Sequence, residues 1–261
     1  MKLITWNINS VRLRLAQLQK LIEQTQADVI CLQEIKAENQ VFPADELKAL
    51  GFEHQAVRGM KAYNGVAILS RQPFKMIESI NFAGRDDARH IAVELKGGVE
   101  LHNFYVPAGG DIPDPAVNEK FAHKLQFLNE LTAWSQAGKG RSRIMVGDLN
   151  IAPLPDDVWS HKQLLDVVSH TPIETDGLNK VLEVGAWCDA LRQLTPAPEK
   201  LYSWWSYRSP DWEKSDRGRR LDHIWLAEHM SRQLQDGGVL KDARGWQQPS
   251  DHAPVWIDLS L

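Results

Sequence analysis

The sequence predicts a mixed α/β fold of the α+β type, and three observations carry that expectation. Short apolar runs of strand length, such as DVICLQE (28–34) and IMVGD (144–148), recur between segments whose apolar residues follow the helical period. Polar residues wait where those runs stop, which suits a site at the end of a sheet. No repeat, low-complexity tract or linker-like stretch divides the chain, so residues 1–261 read as a single domain.

Taken in order, LITWNI (3–8) reads as a strand that ends at Asn7 and Asn9. RLRLAQLQKLIEQTQ then sets Leu15, Leu18, Leu21 and Ile22 on one helical stripe, and DVICLQE is a buried strand ending in Gln33 and Glu34. FPADELKAL, closed by Gly51, predicts a short helix with a glycine cap. GVAILS (65–70), FKMIESI (74–80), HIAVEL (90–95) and VELHNFYV (99–106) are strand-like, with Gly97-Gly98 as a hairpin turn. The loop PAGGDIPDP leads into a helix from Asn118 to Gln136 carrying Phe121, Leu125, Leu128 and Leu131 on its apolar face. The strand IMVGDLN follows and is stopped by Pro153; residues 153–175 read as irregular and DGLNKVLEVG (176–185) as helix. Residues 202–220 read as a loop that concentrates three tryptophans, two tyrosines and five arginines or lysines. RLDHIWL (220–226) is a strand carrying Asp222, AEHMSRQLQ a helix, and PSDHAPVWIDLSL the closing loop and strand.

The composition, 43% hydrophobic and 25% charged, is that of a chain with a sizeable core. A net charge of −4 argues against global attraction to a polyanion, yet leaves room for a local basic surface around a cluster of acids. Cys31 and Cys188 show no metal-like spacing and read as small core hydrophobes in a reducing compartment. The N-terminus enters strand-like sequence at once and no stretch has the length to span a bilayer, so a cytoplasmic protein without membrane contact is expected.

Collected along the chain, the strand-end polar residues are Asn7, Asn9, Glu34, Tyr105, Asp148, Asn150, Asp222, Asp251 and His252. If the backbone stays extended past Gly147, Asp148 and Asn150 share a face. As a turn, the same pair would satisfy local backbone groups, and both readings stand. Acid and amide oxygens are what a hard divalent cation takes, with Glu34 as the direct ligand and Asn7, Asn9 and Asp251 beside it. Each residue alone has an ordinary role: His252 as a capping histidine, Asp222 as an inward acid paired with an arginine, Tyr105 as a half-buried strand aromatic. Their joint occurrence favours a site.

WNINS (6–10), LQEIK (32–36), YNGVAILS (63–70), NFYVP (103–107), GDLNIAP (147–153), RLDHIWL (220–226) and PSDHAPV (249–255) together make the chain resemble a known family. These motifs are similar in order and separation to those of exonuclease III-type apurinic/apyrimidinic endonucleases, in the endonuclease/exonuclease/phosphatase superfamily with the DNase I-like fold. The resemblance runs from Met1 to Leu261 and implies a four-layer α/β/β/α sandwich of two mixed sheets with helices outside. It implies a Mg²⁺ site, with Mn²⁺ as a possible substitute, at Glu34 with Asn7 and Asp251, adjoining Asp148 and Asn150. It implies that Asp148, oriented by Asn150, aligns or deprotonates the attacking water, while Tyr105 and the His252–Asp222 dyad meet the phosphoryl group.

By the same resemblance Trp204 and Leu221 belong to a pocket for a deoxyribose that has lost its base. Arg219 stands there in place of the usual apolar residue, which implies a more open pocket or tolerance of other 3′ ends. Ala108 stands where relatives carry an amide, which implies that Asn64 or a backbone amide of Gly109-Gly110 donates instead, or that phosphate binding is weaker. Asn9 lies where many relatives have Asp. Arg12, Arg14, Lys36, Arg58, Lys61, Arg208 and Arg217 lie near motifs that face the site and are candidate phosphate contacts. The implied activity is hydrolysis 5′ to abasic sites in double-stranded DNA, with 3′→5′ exonuclease action and cleaning of blocked 3′ ends in base excision repair, by a monomer. The alternatives are an enzyme confined to 3′ ends, a relative acting on lipid or inositol phosphates, against which the aromatic segment at Trp204 and its arginines argue, and a DNA-binding relative that has lost catalysis.

Overall fold

A computed structural model describes residues 1–209 and 211–261. Its strands in chain order are β1 (Lys2–Asn7), β2 (Val29–Gln33), β3 (His54–Arg58), β4 (Val66–Ser70), β5 (Lys75–Ile77), β6 (His90–Leu95) and β7 (Val99–Tyr105). They continue with β8 (Arg143–Asp148), β9 (Trp187–Asp189), β10 (Trp204–Trp205), β11 (Gly218–Arg219), β12 (Asp222–Ala227), β13 (Leu234–Val239) and β14 (Val255–Leu259). Two six-stranded sheets form, in the orders β13-β14-β1-β2-β4-β3 and β5-β6-β7-β8-β12-β9. Each is mixed, with one parallel pair, β1 with β2 or β7 with β8, among antiparallel neighbours.

Alternation of side chains along the strands builds the layers. Leu3, Val29, Cys31, Ile68, Val93, Leu101, Ile144, Val146, Ile224 and Ile257 face inward and form the core between the sheets. Ile4, Trp6, Ile30, Leu32 and Leu69 face the other way, where α1 (Leu15–Thr25) covers them with Leu18, Leu21 and Ile22, and α2 (Ala44–Ala49) adds Leu47. On the far side Phe104, Met145 and Trp225 meet Phe127, Leu128 and Leu131 of α3 (Glu119–Ala137). Beyond α4 (His161–Leu164), α5 (Pro172–Gly185) packs Leu178 and Val181 onto the same layer. Helix, sheet, sheet and helix stack in the expected order, and no helix among the described residues is long and apolar enough to cross a membrane.

The same parity decides where the chemistry goes. Asn7 follows Leu3 on the inward face of β1, Tyr105 follows Leu101 on β7, Asp148 follows Val146 on β8, and Asp222 precedes Ile224 on β12. Register sets Tyr105 opposite Asp148 and Asp148 opposite Asp222. Four strands therefore deliver their inward polar residues to one mouth of the intersheet core. Two residues below, Asn103 bridges the sheets by donating to the Leu32 and Ala67 carbonyls at 3.0 Å and accepting from Gln33 at 2.6 Å.

Several elements differ from the sequence expectation for local reasons. The strand foreseen at 74–80 is confined to Lys75–Ile77, because the Ile80 amide turns away to donate to His90 Nδ1 at 3.0 Å. α5 begins at Pro172 rather than 176, since Thr171 and Glu174 form a capping box with proline in the first turn. AEHMSRQLQ is a 3₁₀ segment, Glu228–Gln233, whose continuation is edge strand β13, and the polar, glycine-containing LQDGGV carries no strand signature. Residues 202–220 contain a small hairpin, with Trp204 opposite Arg219 and Trp205 opposite Gly218. Cys31 is buried as expected, whereas Cys188 is half-exposed and its thiol donates to Gln193 at 2.8 Å.

Buried neutral histidines make the fold acid-sensitive. His90 Nε2 meets His102 Nδ1 at 3.1 Å, and burial holds both imidazoles below the usual histidine range. His223, wholly buried against Trp225, is pulled down to about 4 by desolvation and by Arg220. The unfolded chain protonates these rings near pH 6.5 and the folded chain does not, so stability falls as pH drops from about 6.5 towards 4. His223 alone is expected to account for about 3 kcal/mol of that loss. Urea midpoints measured from pH 7.5 to 4.5 should decline in the wild type and decline less steeply in His223→Gln. A flat profile would contradict the assignment.

Candidate active site

The site begins with Asn7, whose side-chain amide donates to Glu34 Oε1 and to Asp148 Oδ2, each at 2.9 Å. Glu34 Oε1 also accepts the Tyr105 hydroxyl at 2.8 Å, and its other oxygen faces the Lys36 ammonium at 2.8 Å. Asp148 lies 3.7 Å from His252 Nε2, while His252 Nδ1 meets Asp222 at 2.8 Å. Asn9 closes the ring: its backbone amide donates to Asn7 Oδ1, its side-chain NH₂ donates to Asp251 at 3.2 Å, and its side-chain oxygen Oδ1 accepts from Lys36 at 2.7 Å. One continuous polar chain thus joins residues from β1, β2, β7, β8, β12 and the loop before β14.

Asp148 and Asn150 converge by a turn rather than by extended backbone. Asn150 has a left-handed φ of 53°, its amide N–H donates to Asp148 Oδ1 at 2.9 Å, and its side chain donates to Oδ2 at 3.1 Å. The two readings of the pair were not rivals: the turn is what aims the acid. Asn9 (φ 47°) and Glu34 (φ 48°) share this conformation, which costs a non-glycine residue roughly 1–3 kcal/mol. Strain collects where the strands end in functional groups.

Burial would discourage ionisation of Glu34, but Lys36, Asn7 and Tyr105 outweigh it and hold the carboxyl below its usual range. Asp251 is held low in the same way, against burial, by His252, Trp204 and Asn9. Burial pushes Asp148 up to about 7, with Asp222 adding to the shift and the His252 charge opposing it. For His252, burial works against the cation, but Asp222 and Asp148 prevail and push it up to about 10. Tyr105 is driven well above the ordinary phenol range by burial, Glu34 and Asp148, so it stays a neutral donor.

Ligand atoms of Asp148, Asp222 and His252 lie within 4.8 Å of one another, close enough to hold an ion. Both imidazole nitrogens already face a carboxylate, however, so the three form an acid–base array. The oxygen donors around Glu34 are the better seat for a hard cation.

These groups open into a cavity of about 970 Å³ whose walls include Trp204, Arg208, Arg217, Arg219 and Leu221. Trp204 is tied to the site through its indole N–H, which donates to Asp251 at 2.9 Å. Trp205 is buried and packs, edge-on, against Trp212. Asn64 does not line the cavity, and its amide donates to the Asp87 carbonyl at 2.9 Å. Ala108 and Gly110 do line it. Arg12 is exposed beside the first strand. Arg14 is a latch instead of a phosphate contact: it donates to the Ile8, Asn9, Gln248 and Pro249 carbonyls and to the Tyr207 hydroxyl. Arg58 is likewise engaged by Asp86, Asn81 and the His90 carbonyl.

Among the described residues Asp222 pairs with no arginine; Arg220 turns instead to Asp157 and Asp189. Its orientation comes from Ser203, whose hydroxyl donates to Asp222 at 2.7 Å while accepting the backbone amides of Leu221 and Asp222 at 3.0 Å. Nothing in a serine before two tryptophans announces that role. Lys124 and Glu174, both fully buried, form a second unforeseen element at 2.5 Å behind the site. A lysine inside the apolar stripe of α3 was the visible clue.

Residues 4–252 match the model of the Endonuclease/Exonuclease/phosphatase family. The chain is 33% identical to exodeoxyribonuclease III of Haemophilus influenzae, over 99% of each chain. Among solved structures, an AP endonuclease from Archaeoglobus fulgidus superposes with a TM-score of 0.92 at 30% identity, covering 100% of both chains. The 3′ phosphatase NExo from Neisseria, solved with a product DNA hairpin, superposes at 0.90 with 31% identity, again over 100% of both. The convergent polar ring and these full-length likenesses agree, and the chain belongs to the endonuclease/exonuclease/phosphatase family, in its exonuclease III-type branch.

Proposed function

We propose that this DNA repair nuclease hydrolyses the phosphodiester 5′ to abasic sites and also trims blocked or undamaged 3′ ends, using Mg²⁺, with Mn²⁺ as a substitute. One observation carries the reading. An ionised carboxylate fit for a hard cation, a buried acid poised near neutrality and an imidazolium held by a second acid are joined by hydrogen bonds and a 3.7 Å ion pair into one polar chain beside a cavity. From the sequence, the protein acts as a cytoplasmic monomer, with residues 1–261 forming one catalytic domain.

Glu34, Asn7 and Asp251 would hold the ion, and Asp148 and Asn150 adjoin them. Bound there, it would offset negative charge on the phosphoryl oxygens. Asp148 aligns the attacking water and takes its proton, aimed by the two bonds from Asn150. His252 donates to a non-bridging oxygen and keeps its charge because Asp222 holds Nδ1; Tyr105 donates its phenolic proton to the same group. Lys36, Arg208 and Arg217 supply positive charge for the flanking phosphates, and Asn9 keeps Lys36 in place.

The test is a side-by-side digest of an abasic duplex, a 3′-phosphate end and an undamaged recessed 3′ end, with Mg²⁺ and after chelation. Ion-dependent incision of the abasic duplex is expected, and hydrolysis of none of the three would reject the reading. Glu34→Gln should raise the Mg²⁺ concentration for half-maximal rate by about tenfold or more. An unshifted titration would remove Glu34 as a ligand.

A further inference from the structure

Arginines near the site fall into two groups. Arg14 and Arg220 are buried, and their donors are taken up by carbonyls or carboxylates. Arg219 is different. It enters the cavity from β11, opposite Trp204 in register, and lines the same wall as Trp204, Leu221 and Ser169. Its Nη1 donates to the Val168 carbonyl at 3.1 Å and to Ser169 Oγ at 2.8 Å. Among the described residues Nε is buried without an acceptor, Nη2 has none, and no carboxylate lies within 4.0 Å. The guanidinium carbon sits 5.3 Å from the centre of the Trp204 ring.

This is a cation anchored along one edge and left open along the other. Keeping a partly desolvated charge without an acceptor is unfavourable, so the missing acceptor is most simply brought by what enters the cavity. The neighbours restrict what that is. Trp204, Leu221 and Val168 offer apolar walls suited to the face of a sugar ring. A deoxyribose that has lost its base differs from every intact nucleotide at one atom. It carries an oxygen on C1′, as a hydroxyl in the closed ring or an aldehyde in the open form, where an intact nucleotide carries the nitrogen of a base.

We propose that Arg219 donates to this C1′ oxygen and is thereby a specificity-determining residue. The inference rests on the abasic-site reading above and deepens it, since an apolar wall would accept any sugar of the right shape whereas a guanidinium distinguishes one that offers an acceptor.

The experiment compares kcat/KM on two duplexes, one with a natural abasic site and one with a tetrahydrofuran residue, which has the same ring but no C1′ oxygen. The wild type should prefer the natural site by about tenfold, the scale of a hydrogen bond to a charged group. Arg219→Leu should lose more on the natural site than on tetrahydrofuran and bring the ratio towards one. Arg219→Gln, which keeps a neutral donor and can still reach Ser169, should fall between. Equal wild-type rates on the two duplexes would overturn the proposal without recourse to any variant, as would a leucine variant that keeps the tenfold preference. If the wild type with Mg²⁺ released nucleotides from an undamaged 3′ end but cut neither duplex, the abasic-site reading would itself fall and take this inference with it. Rates that are equal but substantial would leave that reading standing and remove only the role of Arg219.

Discussion

Asp148→Asn is expected to lower turnover on DNA by ~10²–10⁴-fold while leaving fold and DNA affinity close to those of the wild type. The replacement keeps the shape of the side chain and removes its capacity to take a proton. Oδ1 can go on accepting the Asn150 backbone amide. The new NH₂ group faces the amide donors of Asn7 and Asn150 where the carboxylate accepted both, at 2.9 and 3.1 Å, so both of these bonds are lost, while the two amides keep their bonds to Glu34 and the Val106 carbonyl. That local cost is about 1 kcal/mol, and relief from burying a carboxylate offsets part of it. Single-turnover rates and binding to the same abasic duplex separate the two effects. A rate within threefold of wild type would remove Asp148 as the base, and a loss confined to binding would recast it as a substrate ligand. The exposed Lys139→Ala, just past the end of α3 and away from the cavity, serves as the control for nonspecific damage.

Much of this site could be read in advance because strand ends obey a simple parity. Asn7, Tyr105, Asp148 and Asp222 occupy inward positions of four strands whose apolar alternation is plain in the sequence, so once the strands are identified the polar residues must gather at one mouth. What the strand pattern conceals is the backbone beyond each end. Asn9, Glu34 and Asn150 turn left-handed immediately after their strands, a conformation ordinarily advertised by glycine, and here it is held by hydrogen bonds such as Asn9 N–H to Asn7 and Asn150 N–H to Asp148. The arginines were the least legible group. Arg14 and Arg208 look alike as residues near motifs, and only tertiary contacts show that the first is consumed by four backbone carbonyls and a tyrosine while the second faces the cavity. Edge strand β13 and the β10–β11 hairpin escaped notice because their residues are chosen for exposure and for the cavity wall, not for a pleated core.

Lys124→Met should cost about 3–5 kcal/mol, the largest stability change expected of any single substitution near the site. Lys124 sits with no exposed side-chain surface among Phe121, Leu128 and the loops behind the cavity, and it serves three of them at once. Its ammonium donates to the Ala108 carbonyl at 3.2 Å and the Asn150 carbonyl at 2.8 Å, and it meets Glu174 at 2.5 Å. Glu174 in turn accepts the backbone amides of Ser169 and Thr171, so the pair pins the three segments that carry Ala108, Asn150 and Ser169 into the cavity wall. Methionine fills the space but leaves the buried Glu174 carboxylate without its cation and takes the lysine's donors from the Ala108 and Asn150 carbonyls. For a chain of this size that loss corresponds to a drop in melting temperature on the order of 10 °C. Lys124→Met with Glu174→Gln should recover part of it, because the amide oxygen can still accept from Ser169 without carrying charge. The double variant should nevertheless remain slow on DNA, since the Asn150 carbonyl is still unheld and Asn150 aims Asp148. A single variant as stable as wild type, or a double no better than the single, would show that the buried pair is not the fastener argued for here. Recovery of stability without recovery of rate would show that the same lysine holds the fold together and points the catalytic turn.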